Sequence, residues 1–257
     1  MRYSVCTETV FENYEILDAM EAVKKCGFDS FEFWFWWIRD LSKIVQKQQE
    51  LGLECAAVCA KFERCSSNKA EQDEYIKDFK DSIAAADALH CKNIIVQAGW
   101  QIEGLSRQEQ LENLKDTLRC IAPIAEEAGK TLILEPLNTK VDHEGYILSD
   151  TDESFAFVRE LQLPNLKILF DIYHQQISSG NILDSIHKNY DLIGHIHLAG
   201  CPGRHEPYRC ELDYGYILKE LEAAGYDKYI GFEYIPSLEP SASLLEMKHT
   251  YLDKEVA

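Results

Sequence analysis

Four apolar runs in the second half of the chain each finish on a side chain able to grip a cation: Leu132-Ile133-Leu134-Glu135, Ile168-Leu169-Phe170-Asp171, Ile193-Gly194-His195-Ile196-His197 and Ile230-Gly231-Phe232-Glu233. Short runs rich in β-branched and aromatic residues read as buried strands, and here the polar group sits at or just before the carboxyl end. Three carboxylates and an imidazole brought together from such tips would form an oxygen-rich site with positions left open for a substrate. That donor set suits Mg²⁺, Mn²⁺ or Co²⁺ better than a structural zinc, which would recruit thiolates. Taken one at a time the residues are ordinary: a strand-end carboxylate is usually a surface or capping group, and a histidine in an apolar strand a satisfied core residue. Four of them aimed into one mouth without a cation would repel or stay unsatisfied.

The elements that must position them alternate along the chain. The pattern predicts strands near Tyr3–Cys6, Ser30–Phe35, Glu54–Ala60, Asn93–Gln97, Thr131–Glu135, Lys167–Asp171, Leu192–His197 and Tyr229–Tyr234. Amphipathic stretches near Asn13–Cys26, Asp40–Leu51, Lys69–Leu89, Ser106–Ala128, Asp152–Leu161, Asn181–Lys188, Tyr214–Ala224 and Ser241–Tyr251 predict helices, several closed by a glycine such as Gly27, Gly52, Gly129 or Gly225. Eight β-then-α units make an α/β protein, a (β/α)₈ TIM barrel spanning residues 1–257 as one domain. A doubly wound open sheet needs fewer. In a barrel the strand carboxyl ends converge on one mouth.

Composition narrows the function. With 257 residues, 46% of them hydrophobic, the chain can bury one large core. The 26 Lys plus Arg against 44 Asp plus Glu leave a formal charge of −18, which repels nucleic-acid phosphates and anionic lipid. No apolar stretch reaches the length of a membrane span, and the start lacks the apolar core of a signal peptide, so the expectation is a cytoplasmic protein with no nucleic-acid or membrane partner. Nine cysteines without a C-x-x-C pair read as reduced, mostly structural thiols.

The segments Glu135-Pro136-Leu137-Asn138, Phe170-Asp171-Ile172-Tyr173-His174, Gly194-His195-Ile196-His197-Leu198 and Gly231-Phe232-Glu233-Tyr234 resemble motifs of the xylose-isomerase-like sugar isomerase and epimerase superfamily. Within it the chain is most similar to the hydroxypyruvate isomerase family and somewhat less to the ketose 3-epimerases. Carried over residue by residue, the resemblance implies one divalent ion, Mn²⁺ or Mg²⁺ with Co²⁺ as a further option, held by Glu135, Asp171, His197 and Glu233. Hydroxypyruvate isomerases commonly carry Gln where His197 stands here, and the epimerases carry His, so both substrate classes stay open. The implied reaction removes a proton beside a carbonyl and stabilises an enediolate. A cation chelated by the substrate offsets the developing charge, and Glu135 and Glu233 serve as the base and acid, in either order.

The resemblance extends to His174 as a group for a substrate oxygen, whose ordinary reading is a surface loop histidine. It extends also to Arg204, whose fork of donors suits a substrate carboxylate or terminal hydroxyls and whose ordinary reading is a solvated loop charge. His195, two residues from His197, shares its face and is a partner of the site rather than a ligand. Phe31-Glu32-Phe33-Trp34-Phe35-Trp36-Trp37 sets six aromatics around one acid. Most are core, but Trp34, Trp36 or Trp37 can stack on a sugar face, and Glu32 points into the barrel within reach of the site. The expected partner is a small hydroxy-carbonyl or ketose, and the expected assembly a homodimer or homotetramer.

Two other classes compete. An apurinic-site endonuclease shares this barrel but adds histidines on strands three and four and an Asp-x-His segment after strand seven. Here those places hold Cys59-Ala60-Lys61 and Gln97-Ala98-Gly99, and no Asp-x-His follows His197. A non-catalytic sugar-binding barrel would have no need of two facing glutamates.

Overall fold

The computed structural model describes residues 1–253. Its eight parallel strands follow one another in sequence order around a closed barrel: β1 (Arg2–Cys6), β2 (Ser30–Phe33), β3 (Glu54–Cys59), β4 (Asn93–Gln97), β5 (Thr131–Glu135), β6 (Leu166–Asp171), β7 (Ile193–Leu198) and β8 (Tyr229–Phe232), which pairs back onto β1. The crossovers that parallel pairing requires carry α1 (Thr7–Val10), α2 (Ile16–Lys25), α3 (Leu41–Leu51), α4 (Gln72–Ala88), α5 (Arg107–Glu127), α6 (Thr151–Leu161), α7 (Ile172–Ser178), α8 (Ile182–Asn189) and α9 (Tyr214–Ala223), and α10 (Pro240–Tyr251) follows β8. This is the (β/α)₈ barrel expected from the eight-unit pattern. No helix among the described residues is long and apolar enough to cross a membrane. All nine cysteines are free.

Local sequence explains the joints. Ser106 and Glu109 exchange hydrogen bonds in a capping box that starts α5, and Gly52 ends α3 in the left-handed conformation at φ 61°. Alternation along each strand divides the side chains between two layers. Residues such as Val58, Val96, Leu134 and Phe170 face the helices in the main core. Ala57, Cys59, Ile95, Ile133 and Leu169 form a separate apolar cluster that reads as the barrel's interior.

Two expectations change. The second strand stops at Phe33 instead of running on to Phe35, because the Glu8 carboxylate accepts from the backbone N–H of Trp34 (3.2 Å) and of Phe35 (3.3 Å). Those donors are lost to the ladder, and Trp36–Ile38 folds into a 3₁₀ turn. The last strand ends at Phe232, although the Glu233 N–H still reaches Leu198 O at 3.1 Å and so keeps Glu233 in line with β7. Two helices were also invisible to periodicity: α1, with 4 residues, and α7, with 7, are too short to show a 3.6-residue repeat.

Candidate active site and metal centre

Strand register assembles the site. His197 on β7 lies beside Asp171 on β6 and Gly231 on β8, and Glu135 ends β5 beside Gln97 on β4. As a result Glu135, Asp171, His197 and Glu233 offer ligand atoms that all lie within 4.8 Å of one another, and all four residues are buried. His197 Nδ1 stands 3.4 Å from Glu233 Oε2 and 3.8 Å from Glu135 Oε1. Glu135 Oε1, Asp171 Oδ2 and His197 Nδ1 have no hydrogen-bond partner. Leaving such atoms buried and unmatched costs several kcal/mol each, about what a shared cation would offset. The residues therefore fit a divalent ion, and the donors are three hard carboxylates with one imidazole.

The charges inside this cluster are uneven. Burial, reinforced by Glu233, lifts Asp171 to about 7 against the opposing pull of Arg204 and His197. Burial also raises Glu135, with His197 drawing it down and Glu233 adding to the rise. Burial would raise Glu233 as well, yet the charges of His197 and Arg204 outweigh it and hold this carboxyl well below the usual range. Burial works against a charged His197, but Glu233 and Glu32 push the imidazole well above its ordinary value. Without a cation the cluster thus retains protons that a cation would displace.

Arg204 closes the mouth. Its guanidinium donates to Glu233 Oε2 at 2.5 Å and lies 5.5 Å from the centre of the Tyr173 ring. The loop forces the residue to φ 57° just after Gly203, and the Ile235 N–H donates to Arg204 O at 2.7 Å. Holding a non-glycine residue in that region costs roughly 1–2 kcal/mol, and the loop spends it on aiming a charge inward. The ordinary reading of Arg204 as a solvated charge is set aside.

His174 is fully buried on α7, not a surface loop residue. Asp171 caps that helix, its Oδ1 accepting from the His174 N–H at 3.1 Å, so one aspartate both ends β6 and starts α7. Asn138 donates to His174 Nδ1 through its side-chain amide (2.7 Å) and its backbone N–H (3.3 Å). The amide orientation is fixed, since Asn138 Oδ1 accepts from Val141 and Asp142 N–H while its nitrogen donates to Asp142 Oδ2. Nδ1 must therefore be an acceptor, and the ring's proton sits on Nε2. Burial and the Arg204 charge keep the imidazole neutral. Nε2 has no hydrogen-bond partner and stands 3.7 Å from Asp171 Oδ2. It is a free N–H at the site's edge.

Replacement tests that reading. His174→Asn keeps an acceptor for Asn138 but removes the Nε2 donor, and kcat/KM is expected to fall about 10–100-fold, the effect of one hydrogen bond to a charged group. His174→Gln, which returns a donor near the Nε2 position, should recover part of the loss. Unchanged steady-state kinetics for the Asn variant would rule out a substrate contact.

The aromatic run divides. Trp36 is buried and its indole N–H donates to Cys59 O at 2.9 Å, which takes it out of substrate contact. Trp34 and Trp37, both partly buried, pack with Phe62 over the inner apolar cluster. Glu32 lies inside the barrel as expected, beside both strand-seven histidines, whereas the roles of Asn138 and Asp142 as supports of His174 had no signal in the sequence. Both roles depend on a loop meeting a helix distant in the chain.

Residues 20–250 match the model of the family described as xylose isomerase-like TIM barrel. The 2-oxo-tetronate isomerase of Cupriavidus necator is 30% identical, covering 95% of this chain and 96% of the relative. Hydroxypyruvate isomerase of Escherichia coli is 30% identical over 95% and 97% of the two chains. A Brucella melitensis crystal structure described as an AP endonuclease of family 2 superposes with a TM-score of 0.92 at 27% identity, covering 98% of this chain and 99% of that one.

Proposed function

From the premise that the chain belongs to the xylose isomerase-like TIM-barrel family and is an isomerase of that family, we propose that it interconverts small hydroxy-carbonyl acids of the hydroxypyruvate and tartronate semialdehyde type. The observation that carries this reading is the meeting of Glu135, Asp171, His197 and Glu233 at one buried point, beneath an inward-facing arginine. The ketose 3-epimerases and inosose isomerases of the same superfamily are the alternative, with the same proton chemistry and no carboxylate on the substrate.

One divalent cation, Mn²⁺, Mg²⁺ or Co²⁺, held by those four side chains, would supply Lewis-acid stabilisation of negative charge on the reacting oxygens. The remaining work falls to the chain's own groups. Glu233, held ionised by His197 and Arg204, is ready to accept the proton beside the carbonyl, and Glu135, raised by burial, is the better proton holder. His174 Nε2–H donates to a substrate oxygen as charge builds there. Arg204 offers its donors to the substrate carboxylate, and Trp34 with Trp37 covers the reacting carbons and excludes water. The phosphodiesterase reading lacks support in the site: the ends of β3 and β4 are Cys59-Ala60 and Gln97-Ala98, with none of the extra histidines such a cluster uses.

Proton NMR in D₂O tests the proposal with a panel of hydroxypyruvate, tartronate semialdehyde, 2-oxo-tetronate, free ketoses and inososes. Net conversion with deuterium incorporated at the carbon beside the carbonyl is expected for the carboxylate-bearing compounds. Run alongside, Arg204→Ala should lose about 100-fold more activity on those acids than on any neutral ketose, the effect of a charge-assisted pair. Turnover of neutral ketoses alone would replace the isomerase assignment with the epimerase one. Equal losses on both classes would confine Arg204 to loop structure.

A further inference from the structure

Beneath the four converging side chains lies a second buried polar group that takes no part in the chemistry just described. Glu32, the single acid in the aromatic run of β2, is 1% exposed. Its Oε2 lies 2.9 Å from His195 Nε2 and its Oε1 3.1 Å from His197 Nε2. Both contacts are at hydrogen-bond distance, yet neither carboxylate oxygen nor either Nε2 makes a well-formed hydrogen bond. The two imidazoles meet edge to face, their centres 4.8 Å apart. The neighbouring strand makes room for the carboxylate: a Cβ on Gly231 would overlap Glu32 Oε1 and come 2.8 Å from His197 Cδ2.

We propose that Glu32 is a positioning residue that fixes the tautomer and ring orientation of His197, so that Nδ1 presents its lone pair to the cation. A carboxylate oxygen 3.1 Å from an imidazole nitrogen is tolerated only where that nitrogen carries a proton, since two lone pairs would otherwise face each other in a dry interior. In a neutral ring a proton on Nε2 leaves Nδ1 bare, and Nδ1 is the atom that stands between Glu135 and Glu233. His195 serves the same end from the opposite side. Its contact occupies the second carboxylate oxygen and keeps Glu32 from rotating away from His197. Outer carboxylates that hold a ligating histidine in this way typically account for 10–100-fold in metal affinity.

The inference rests on the cation reading above, and its test separates the two. Metal-free wild-type protein is titrated with Mn²⁺ by calorimetry beside Glu32→Gln, His197→Ala and the double variant. Glu32→Gln is nearly isosteric but turns a donor toward one of the two rings, and its Mn²⁺ affinity is expected to fall 10–100-fold. In the His197→Ala background the same change should cost nothing further, because the path through which Glu32 acts is gone. A general packing role would make the two losses multiply. Wild-type affinity in Glu32→Gln, or independent losses in the double variant, would overturn the proposal. If wild-type protein itself takes up no Mn²⁺, the cation reading falls and Glu32 falls with it. Should the Gln variant fail to fold, Glu32→Asp carries the test, since it keeps the charge but draws it back by one methylene. A comparable weakening that vanishes without His197 supports the role, and undiminished affinity refutes it.

Discussion

Glu233→Gln is expected to stop solvent deuterium from entering the substrate and to lower kcat by at least about 10²–10⁴-fold, the usual contribution of a placed proton-transfer group. Glu233 is buried, yet His197 and Arg204 keep it ionised, which fits its proposed role as the carboxylate that accepts the substrate's proton. Gln keeps the shape and one oxygen for a cation but has no basic oxygen to offer. Glu233 also stands 2.5 Å from Arg204, so the substitution removes the partner of a buried cation and a thermal shift should accompany the kinetic loss. Glu135→Gln, at the better proton holder, should also slow turnover. Exchange monitored by proton NMR decides the roles, and exchange at the wild-type rate in the Glu233→Gln protein would remove Glu233 from proton transfer.

Stripping the protein of divalent ions is expected to abolish turnover and to leave a pH signature in the recovery. Dialysis against EDTA should bring activity to background, and Mn²⁺, Mg²⁺ or Co²⁺ should restore it. The pH dependence comes from Asp171, which burial beside Glu233 lifts from 3.8 to about 7. A carboxyl raised in this way adds stability to the metal-free fold that is complete below about pH 4 and is lost as pH rises through about 7. A cation must displace that proton together with the one His197 holds, so below pH 7 each unit of acidification should weaken Mn²⁺ binding by at least about tenfold. The melting temperature should therefore rise more on adding Mn²⁺ at pH 8 than at pH 6. Full activity after chelation, or a shift that is larger at pH 6, would contradict the reading.

Much of the barrel was legible because its signals are local. Each strand is a short apolar run and each long helix an amphipathic stretch, and many of them close on a capping residue or glycine of known preference. Strand-end positions put Glu135, Asp171 and the strand-seven histidines at one mouth by fold alone. Resemblance chose between His195 and His197, and the inward Nδ1 of His197 supports that choice. Other features were hidden. Glu8, on α1, ends β2 from a distance, and nothing in the aromatic run announces where its pairing stops. His174 was ambiguous because α7 is a single short helix, and its donors come from the loop after β5. Arg204 sits in a loop whose left-handed backbone leaves no mark on sequence periodicity.

All four candidate ion-holding residues come after Gly129, the turn into β5, while Glu32 and the tryptophans come before it. Recombination between related genes at that turn would transplant the cation's whole cradle in one piece. It would leave behind Glu32, the proposed brace under His197, and the tryptophans proposed to cover the reacting carbons. The proposed cradle and the residues proposed to brace and cover it therefore lie on opposite sides of a single turn in the chain.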